Sequence, residues 1–372
     1  VTSPAISPRD LYDRVRDGPV SVLDVRDRDE FEAWHVDGPG VTAAHVPYVQ
    51  FVAAGVSGDP AALVPDELAE PVVAVCGVGE ASDEVAAALR EAGVDAVNLA
   101  GGMDAWADLV VAHDLGGVVQ YERPSSGCLS YLLHDGEAAA VVDPLAAASE
   151  RYAADAAERG VSIEYAVDTH VHADHVSGVS ALADETGAER VLPTGATERG
   201  LDYDATLLAD GDALSVGDRD LVAHHAPGHT SELLVFEYGD RLLTADCVFL
   251  DGVGRPDLED ADRARELAGR QYDTLHDLVF AYPEDTTVLP GHVEATTPLA
   301  GDGFARDLGA VRESLAVAGL SRDAFVDALT TDLPPRPANY EEIVAANLGK
   351  RVVGEETLEL ERGPNNCAVS ST

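Results

Sequence analysis

A run of six residues, His170-Val171-His172-Ala173-Asp174-His175, restricts this chain more than anything else in it. It follows Ile163–Asp168, which reads as a strand, and Thr169 joins the two. Three imidazoles and a carboxylate in so short a stretch have no use in packing. At a strand end, where the chain turns, they can converge on one point. Neutral imidazole with carboxylate is the ligand set of zinc or non-haem iron. More ligand-type residues stand at other strand ends. These are His229 in Pro227-Gly228-His229-Thr230, Asp246 closing Arg241–Asp246, and His292 in Leu289-Pro290-Gly291-His292. Seven such residues at four strand ends demand a fold that gathers strand ends in one place. His224 and His225 have no such company and read as structural or solvated.

The chain has 372 residues, too many for one core, so two domains are expected. With 46% hydrophobic residues there is ample material for both. The charge balance is extreme, 68 acidic against 24 basic residues for a net −44, with Lys350 the single lysine. The acidic residues are scattered among aliphatic segments, which argues for a folded chain rather than a disordered one. Such a surface repels itself at low salt and is screened at high salt, so a salt-adapted, halophilic source is expected. Nucleic acid and anionic membranes are excluded as partners. Val1–Asp10 shows no basic, apolar leader, and no segment approaches the roughly 18 apolar residues of a spanning helix. Cys76, Cys128, Cys247 and Cys367 form no CxxC pair, which suits free thiols and a cytoplasmic location.

The first third alternates strands (Val20–Val25, Val72–Cys76, Ala96–Leu99) with a helix over Ser82–Ala92 that Gly93 ends. This is an α/β pattern with a parallel sheet, assigned to residues 1–112. Residues 113–117 read as a linker. From Val118 the strands are closely spaced, with turns at Pro-Ser-Ser-Gly and Asp-Gly-Glu, and residues 118–372 are taken as the second domain. Its last part, 301–360, reads as a helical extension: Phe304–Val317, Arg322–Leu329 and Tyr340–Leu348, the last two separated by the Pro-rich run 334–337.

Cys76 stands directly after an apolar strand, followed by Gly77, Val78, Gly79, Glu80 and Ala81, with Ser82 expected as the helix N-cap. Free backbone N–H groups and a positive helix end at that place stabilise an anionic sulfur. The bland alternative is a buried structural cysteine.

Leu23-Asp24-Val25-Arg26-Asp27, the Glu30–Val36 stretch, the Cys76–Ser82 loop and Leu99-Ala100-Gly101-Gly102 with Trp106 resemble the rhodanese family, over about residues 5–112. That resemblance implies Cys76 as a sulfane-sulfur acceptor, with Gly77, Val78, Gly79, Glu80, Ala81 and Ser82 as the cradle of its persulfide. Asp24 and Arg26 sit where the family has a mostly structural pair. The loop departs from many rhodaneses in having Glu80 and no basic residue, so anion stabilisation rests on backbone dipoles.

His170, His172, Asp174, His175, His229, Asp246 and His292 together resemble the metallo-β-lactamase superfamily, over about residues 118–298. The resemblance implies an αββα sandwich, here with C-terminal helices added. It says less about the reaction. Thr244–Leu258 and Leu333–Lys350 resemble the persulfide dioxygenase subgroup. This implies one iron(II) held by His170, His229 and Asp246, a facial set with open positions for O2 and a persulfide sulfur. His172, Asp174, His175 and His292 would then orient ligands or hold a second metal. Arg255, in Gly254-Arg255-Pro256-Asp257, lies where the subgroup places a basic group near the substrate carboxylate. The implied reaction turns a low-molecular-weight thiol persulfide and O2 into sulfite and thiol. Sulfur transfer through Cys76 would couple to it, and one direction gives thiosulfate. Two rivals stand beside it. One is a glyoxalase II-like thioester hydrolase with dinuclear zinc, since all seven ligands are present. The other is a non-catalytic sulfur carrier or sensor.

Overall fold

The computed structural model describes residues 4–331, 333, 335–337, 339–362 and 367–370. The expected Pro-rich break falls partly on Pro334, outside the described residues. The chain divides into two compact units. One holds the residues up to Val111 together with 123–127 and 294–298, and the other holds the remainder.

The first unit is an α/β layer. Its elements are β1 (Ala5–Ile6), α1 (Pro8–Asp17), β2 (Val20–Asp24), α2 (Arg28–Ala33), β3 (Val41–His45), α3 (Tyr48–Ser57), β4 (Val72–Val75), α4 (Glu80–Glu91), β5 (Ala96–Leu99) and α5 (Gly102–Ala107). The five strands lie in the order β1-β5-β4-β2-β3, every pair parallel, as the alternation of strands and helices predicts. The central strands β2 and β4 are buried at every residue, because helices cover both faces. Alternate residues serve opposite faces. Val22, Val73 and Val75 pack with Leu11 and Trp106, while Leu23, Ala74 and Cys76 pack with Phe51, Val85 and Leu89. Cys76 therefore leaves the sheet on the face covered by α3 and α4.

Helix α4 starts earlier than the sequence suggests. Gly79 takes the N-cap position at φ +86°, so Ser82 lies inside the first turn. A Cβ on Gly79 would come within 2.9 Å of the Gly101 amide nitrogen, so glycine is required there on two counts. Ser82, Val85, Ala86 and Leu89 form the buried stripe.

The second unit is built on two sheets. The first comprises β6 (Val111–Asp114), β7 (Val118–Arg123), β8 (Cys128–Asp135), β9 (Ala138–Val142), β10 (Ser162–Val167), β11 (Glu189–Pro193) and β12 (Thr206–Leu208), in the order β12-β11-β10-β9-β8-β7-β6. The second comprises β13 (Ala213–Val216), β14 (Arg219–His225), β15 (Leu234–Tyr238), β16 (Arg241–Ala245), β18 (Thr287–Pro290) and β19 (Arg306–Asp307), in the order β13-β14-β15-β16-β18-β19. One apolar cluster fills the space between them, from Leu133, Val142 and Val167 on the first sheet to Leu221, Phe236 and Leu243 on the second. Helices α6 (Ser149–Arg159) and α7 (Val179–Thr186) pack on the first sheet, and α8 (Ala264–Asp277), α9 (Leu308–Ser314) and α10 (Arg322–Thr330) lie with the second. The expected αββα sandwich with C-terminal helices is present. Strand β17 (Gly252–Gly254) pairs with β20 (Ala368–Ser370), and α11 (Tyr340–Asn347) and α12 (Glu355–Leu358) lie between them in sequence. One expected helix, 304–317, is shorter than its pattern: Arg306 and Asp307 first pair with Val288 and Thr287, and the helix begins at Leu308.

This topology makes a site. Strands β9 and β10 are adjacent and parallel, and so are β16 and β18. Their C-terminal ends therefore open on one edge, and the loops leaving them carry Asp143, His170–His175, Asp246 and His292. Among the described residues, no helix is long and apolar enough to cross a membrane.

Candidate functional site

Three hydrogen bonds fix the tautomers of the loop histidines. His170 Nδ1 lies 2.9 Å from Thr169 Oγ1, whose own proton goes to Asp143 Oδ2 at 3.0 Å. His229 Nδ1 donates to the Arg255 carbonyl at 2.8 Å. His172 Nε2 donates to Asp143 Oδ1 at 3.0 Å. Each bond leaves the other ring nitrogen bare: His170 Nε2, His229 Nε2 and His172 Nδ1 are buried without a hydrogen-bond partner. Asp246 Oδ2 is in the same position, while its Oδ1 accepts from His292 Nδ1 at 2.7 Å. Ligand atoms of His170, His229 and Asp246 all lie within 4.8 Å of one another. These buried bare atoms are the ones through which His170, His229 and Asp246 could hold a metal ion.

The protonation states follow the same division. Burial holds His170 well below the ordinary histidine range, and the neighbouring His172 and His229 add to this. Burial also lowers His229, against the pull of Asp246. Burial works against a charge on Asp246, but His292 outweighs it and keeps the carboxyl ionised. Neutral imidazoles and an ionised carboxylate are the forms that bind metal.

A second group, Cys128, Asp174, His175 and His292, gathers beside the first. It is more internally engaged. His292 Nε2 lies 2.9 Å from Asp174 Oδ2, and its Nδ1 is on Asp246. His175 Nδ1 is 3.1 Å, and Cys128 Sγ 3.2 Å, from the same Asp174 Oδ2. Asp174 Oδ1 and His175 Nε2 remain bare. Burial disfavours charge on His292, but Asp246, then Cys128 and Asp174, outweigh it, so His292 holds its proton well above the ordinary range.

The backbone at the site is strained where function needs it. Asp143 and Ala245 have φ of 52° and 46°, left-handed values unusual for residues with a Cβ. The turn at Ala245 carries Asp246 out of the strand direction. A Cβ on Gly291 would lie 2.5 Å from Asp246 Oδ1, so glycine leaves room for that carboxylate.

Residues that the sequence reading did not single out support the histidine loop. Asp143 bridges Thr169 and His172. Asn347, on α11, donates to the His172 and His175 carbonyls at 3.0 and 2.9 Å and accepts from the Ser177 amide at 2.8 Å. Glu232 accepts from the Val171 amide at 3.0 Å and pairs with Arg199 at 2.6 Å. The only sequence signal for Asp143 is an Asp-Pro at the end of an apolar strand; Asn347 has none. Cys247, next to Asp246, packs in the main core, and burial together with the Asp246 charge pushes its thiol up to about 12. Arg255 is fully buried. Its guanidinium donates to Asp257 at 2.7 and 3.1 Å and to the Pro335 carbonyl at 2.9 Å. A substrate carboxylate reaching Arg255 would have to compete with Asp257.

Cys76 forms a site of a different kind. Its Sγ accepts from the Gly79 amide at 3.2 Å, the Ser82 amide at 3.4 Å and the Ser82 hydroxyl at 3.1 Å. Ser82 Oγ is also 2.7 Å from Asn98 Oδ1, so one hydroxyl proton serves two acceptors. The sulfur lies at the floor of a cleft of about 460 Å³.

The comparison with known families agrees with this geometry. The Rhodanese-like domain family matches residues 7–109, and the Metallo-beta-lactamase superfamily matches residues 124–292. A hydroxyacylglutathione hydrolase of Rhodospirillum rubrum is 31% identical, over 50% of this chain and 69% of that one. The chain belongs to the metallo-β-lactamase superfamily. Its metallo-β-lactamase domain has a second kind of relative. Persulfide dioxygenase ETHE1, mitochondrial, of Bos taurus is 27% identical over 236 residues, 62% of this chain and 86% of that one. The crystal structure of ETHE1 from Myxococcus xanthus aligns with a TM-score of 0.55 at 28% identity, over 62% of this chain and 97% of that one.

Proposed function

We propose that the metallo-β-lactamase domain oxidises a low-molecular-weight thiol persulfide with O2 to sulfite and free thiol, and that Cys76 exchanges sulfane sulfur with the same pool. The observation that carries this is the division of the ligands. His170 Nε2, His229 Nε2 and Asp246 Oδ2 are buried, bare and mutually close, whereas both nitrogens of His292 are engaged by carboxylates. The two-His, one-Asp set fits a single iron(II), which when bound supplies adjacent open positions for O2 and a sulfur ligand. The chain's own part is orientation: Thr169 and the Arg255 carbonyl hold the two imidazoles, and His292 holds the carboxylate. The reaction balances when a persulfide, O2 and water give thiol, sulfite and protons, the sulfane sulfur supplying the electrons that reduce O2. ETHE1 relatives at 27–28% identity support the reading.

One observation favours a second reading. His172 Nδ1, Asp174 Oδ1 and His175 Nε2 are also bare, and they are the donors a dinuclear zinc hydrolase of hydroxyacyl thioesters would use. Metal analysis of protein produced without added metal, followed by activity assays, separates the two. About one iron per chain with persulfide-dependent O2 uptake and sulfite formation is the expected result. About two zincs with thioester hydrolysis and no O2 uptake would replace it with the second reading.

A further inference from the structure

The Cys76 cleft has a floor and a mouth of opposite character. Its floor is lined with hydrogen-bond donors suited to an anionic sulfur: the Gly79 and Ser82 amides and the Ser82 hydroxyl all face Sγ. Its mouth does the opposite. The lining includes Asp27, Glu30 and Glu80, all exposed, and Arg26 as its one basic residue. Arg26 is not available to an incoming anion as a net charge. Its guanidinium is bidentate on Asp24, with Nε 3.1 Å from Oδ1 and Nη2 2.7 Å from Oδ2, and also donates to the Trp34 carbonyl at 2.5 Å. Asp24 is buried, so the pair is electrically closed. Three carboxylates remain with no partner cation in the lining.

The rest of the mouth is apolar. Val49 and Val78 line the cleft and are 68% and 58% exposed, among the few large hydrophobic side chains that this acidic surface leaves uncovered. Val52, one turn along α3 from Val49, is 50% exposed.

Two donor classes would present different groups to this mouth. In thiosulfate a sulfonate is bonded directly to the sulfane sulfur. With that sulfur at Cys76, the sulfonate oxygens would sit among the carboxylates with no cation to meet them. In an alkyl persulfide the atom next to the disulfane is a methylene carbon, and it would rest against the valines. Any charged groups of the carrier lie further out.

We propose that Cys76 takes sulfur from an alkyl persulfide and rejects thiosulfate, and that Glu80 is the main determinant of this choice. The inference rests on the reading of Cys76 as a sulfur acceptor. In the step, the Cys76 thiolate attacks the outer sulfur of R–S–SH. A bond forms between Sγ and that sulfur, the bond from it to the carrier sulfur breaks, and the carrier leaves as thiolate and takes up the proton. There is no net oxidation, and no further reactant is needed.

The test uses the full chain, reduced and desalted, at one fixed KCl concentration. It is incubated with thiosulfate or with cysteamine persulfide, and intact mass reads the gain of one sulfur, with Cys76→Ser as the blank. Glu80 is exposed on the first turn of α4, so Glu80→Arg should keep the fold and lose a favourable charge at the helix start. Wild type should load from cysteamine persulfide at least about tenfold faster than from thiosulfate, and Glu80→Arg should close most of that gap by speeding thiosulfate. Equal loading of wild type by the two donors, or an unchanged ratio in Glu80→Arg, overturns the selection while leaving Cys76 as acceptor. No added sulfur on Cys76 from either donor would bring down the acceptor reading, and the selection with it.

Discussion

The two sites handle charge in opposite ways. At the metal centre the donors are side chains, all buried, each held by a hydrogen bond from its far side. At Cys76 the donors are mostly backbone amides and the charged side chains stand outside, in water. A buried site must pair every polar atom or bind an ion, because bare groups there cost about 1–3 kcal/mol each. An exposed cleft has no such constraint, and its carboxylates can serve as a filter. The metal centre is therefore specified by many buried residues acting together, and the cleft by the Cys76 loop and the start of α4 at its floor, with Asp27, Glu30 and Val49 at its mouth.

The largest expected effect tests whether the sites are chemically independent. His170→Ala, His229→Ala and Asp246→Ala should each abolish O2 uptake and lower bound metal, yet leave sulfur loading of Cys76 at the wild-type level. Cys76→Ser should do the reverse with a free persulfide as substrate. Loss of O2 uptake in Cys76→Ser would show that persulfide reaches the metal only through the cysteine.

That contrast also explains what could be read in the sequence. The histidine run was legible because its members are neighbours in the chain, and a strand preceding them places them on a loop. Cys76 was legible from a strand, a glycine loop and a helix. Asp143, Cys128 and Asn347 were not, because they meet the loop only through strand pairing and through α11. The expected N-cap at Ser82 failed for a local reason: Gly79 turns left-handed and starts the helix sooner, which aims the Ser82 amide and hydroxyl at Cys76. For Arg255 the partner was in plain sight two residues on, but only the structure shows Asp257 folded back on the guanidinium.

The Arg255–Asp257 pair gives the next largest effect; like the closed Arg26–Asp24 pair at the cleft, it joins a buried guanidinium to a carboxylate two residues away in the chain. Burial disfavours charge on Asp257, but the hydrogen bonds from Arg255 outweigh it, with Arg336 adding, and hold its carboxyl below the usual range. A carboxyl lowered by folding stabilises the folded state above its unfolded value, near 3.9, and that contribution is lost as pH falls through the lower, folded value. Asp257→Asn removes the carboxylate charge that faces the buried Arg255 guanidinium and should cost about 3–5 kcal/mol at neutral pH. Urea melts from pH 7 down into acid should show the difference between wild type and variant shrinking below about pH 4. A difference that stays constant into acid would mean that the carboxylate charge is not what stabilises the pair.

The smallest effect concerns salt, and it separates the exposed site from the buried one. The net charge of −44 places acidic groups within repulsive reach over most of the surface. At ~0.1 M salt the Debye length is about 10 Å, and at ~1 M about 3 Å, so added KCl removes most repulsion between exposed neighbours. Folding brings these charges closer than they are in the open chain, so the folded state gains more from screening, and the melting temperature should rise from low to molar KCl. The mouth of the Cys76 cleft is part of that surface, and loading from an anionic donor should speed up several-fold over the same range. The buried ligands His170, His229 and Asp246 are screened little, so O2 uptake at saturating persulfide should change less than loading does. A melting temperature that is flat or falls with salt would remove the salt-adapted reading. Equal salt responses at the two sites would remove the distinction between a filter in water and a centre held in the protein interior, even if the protein as a whole were stabilised.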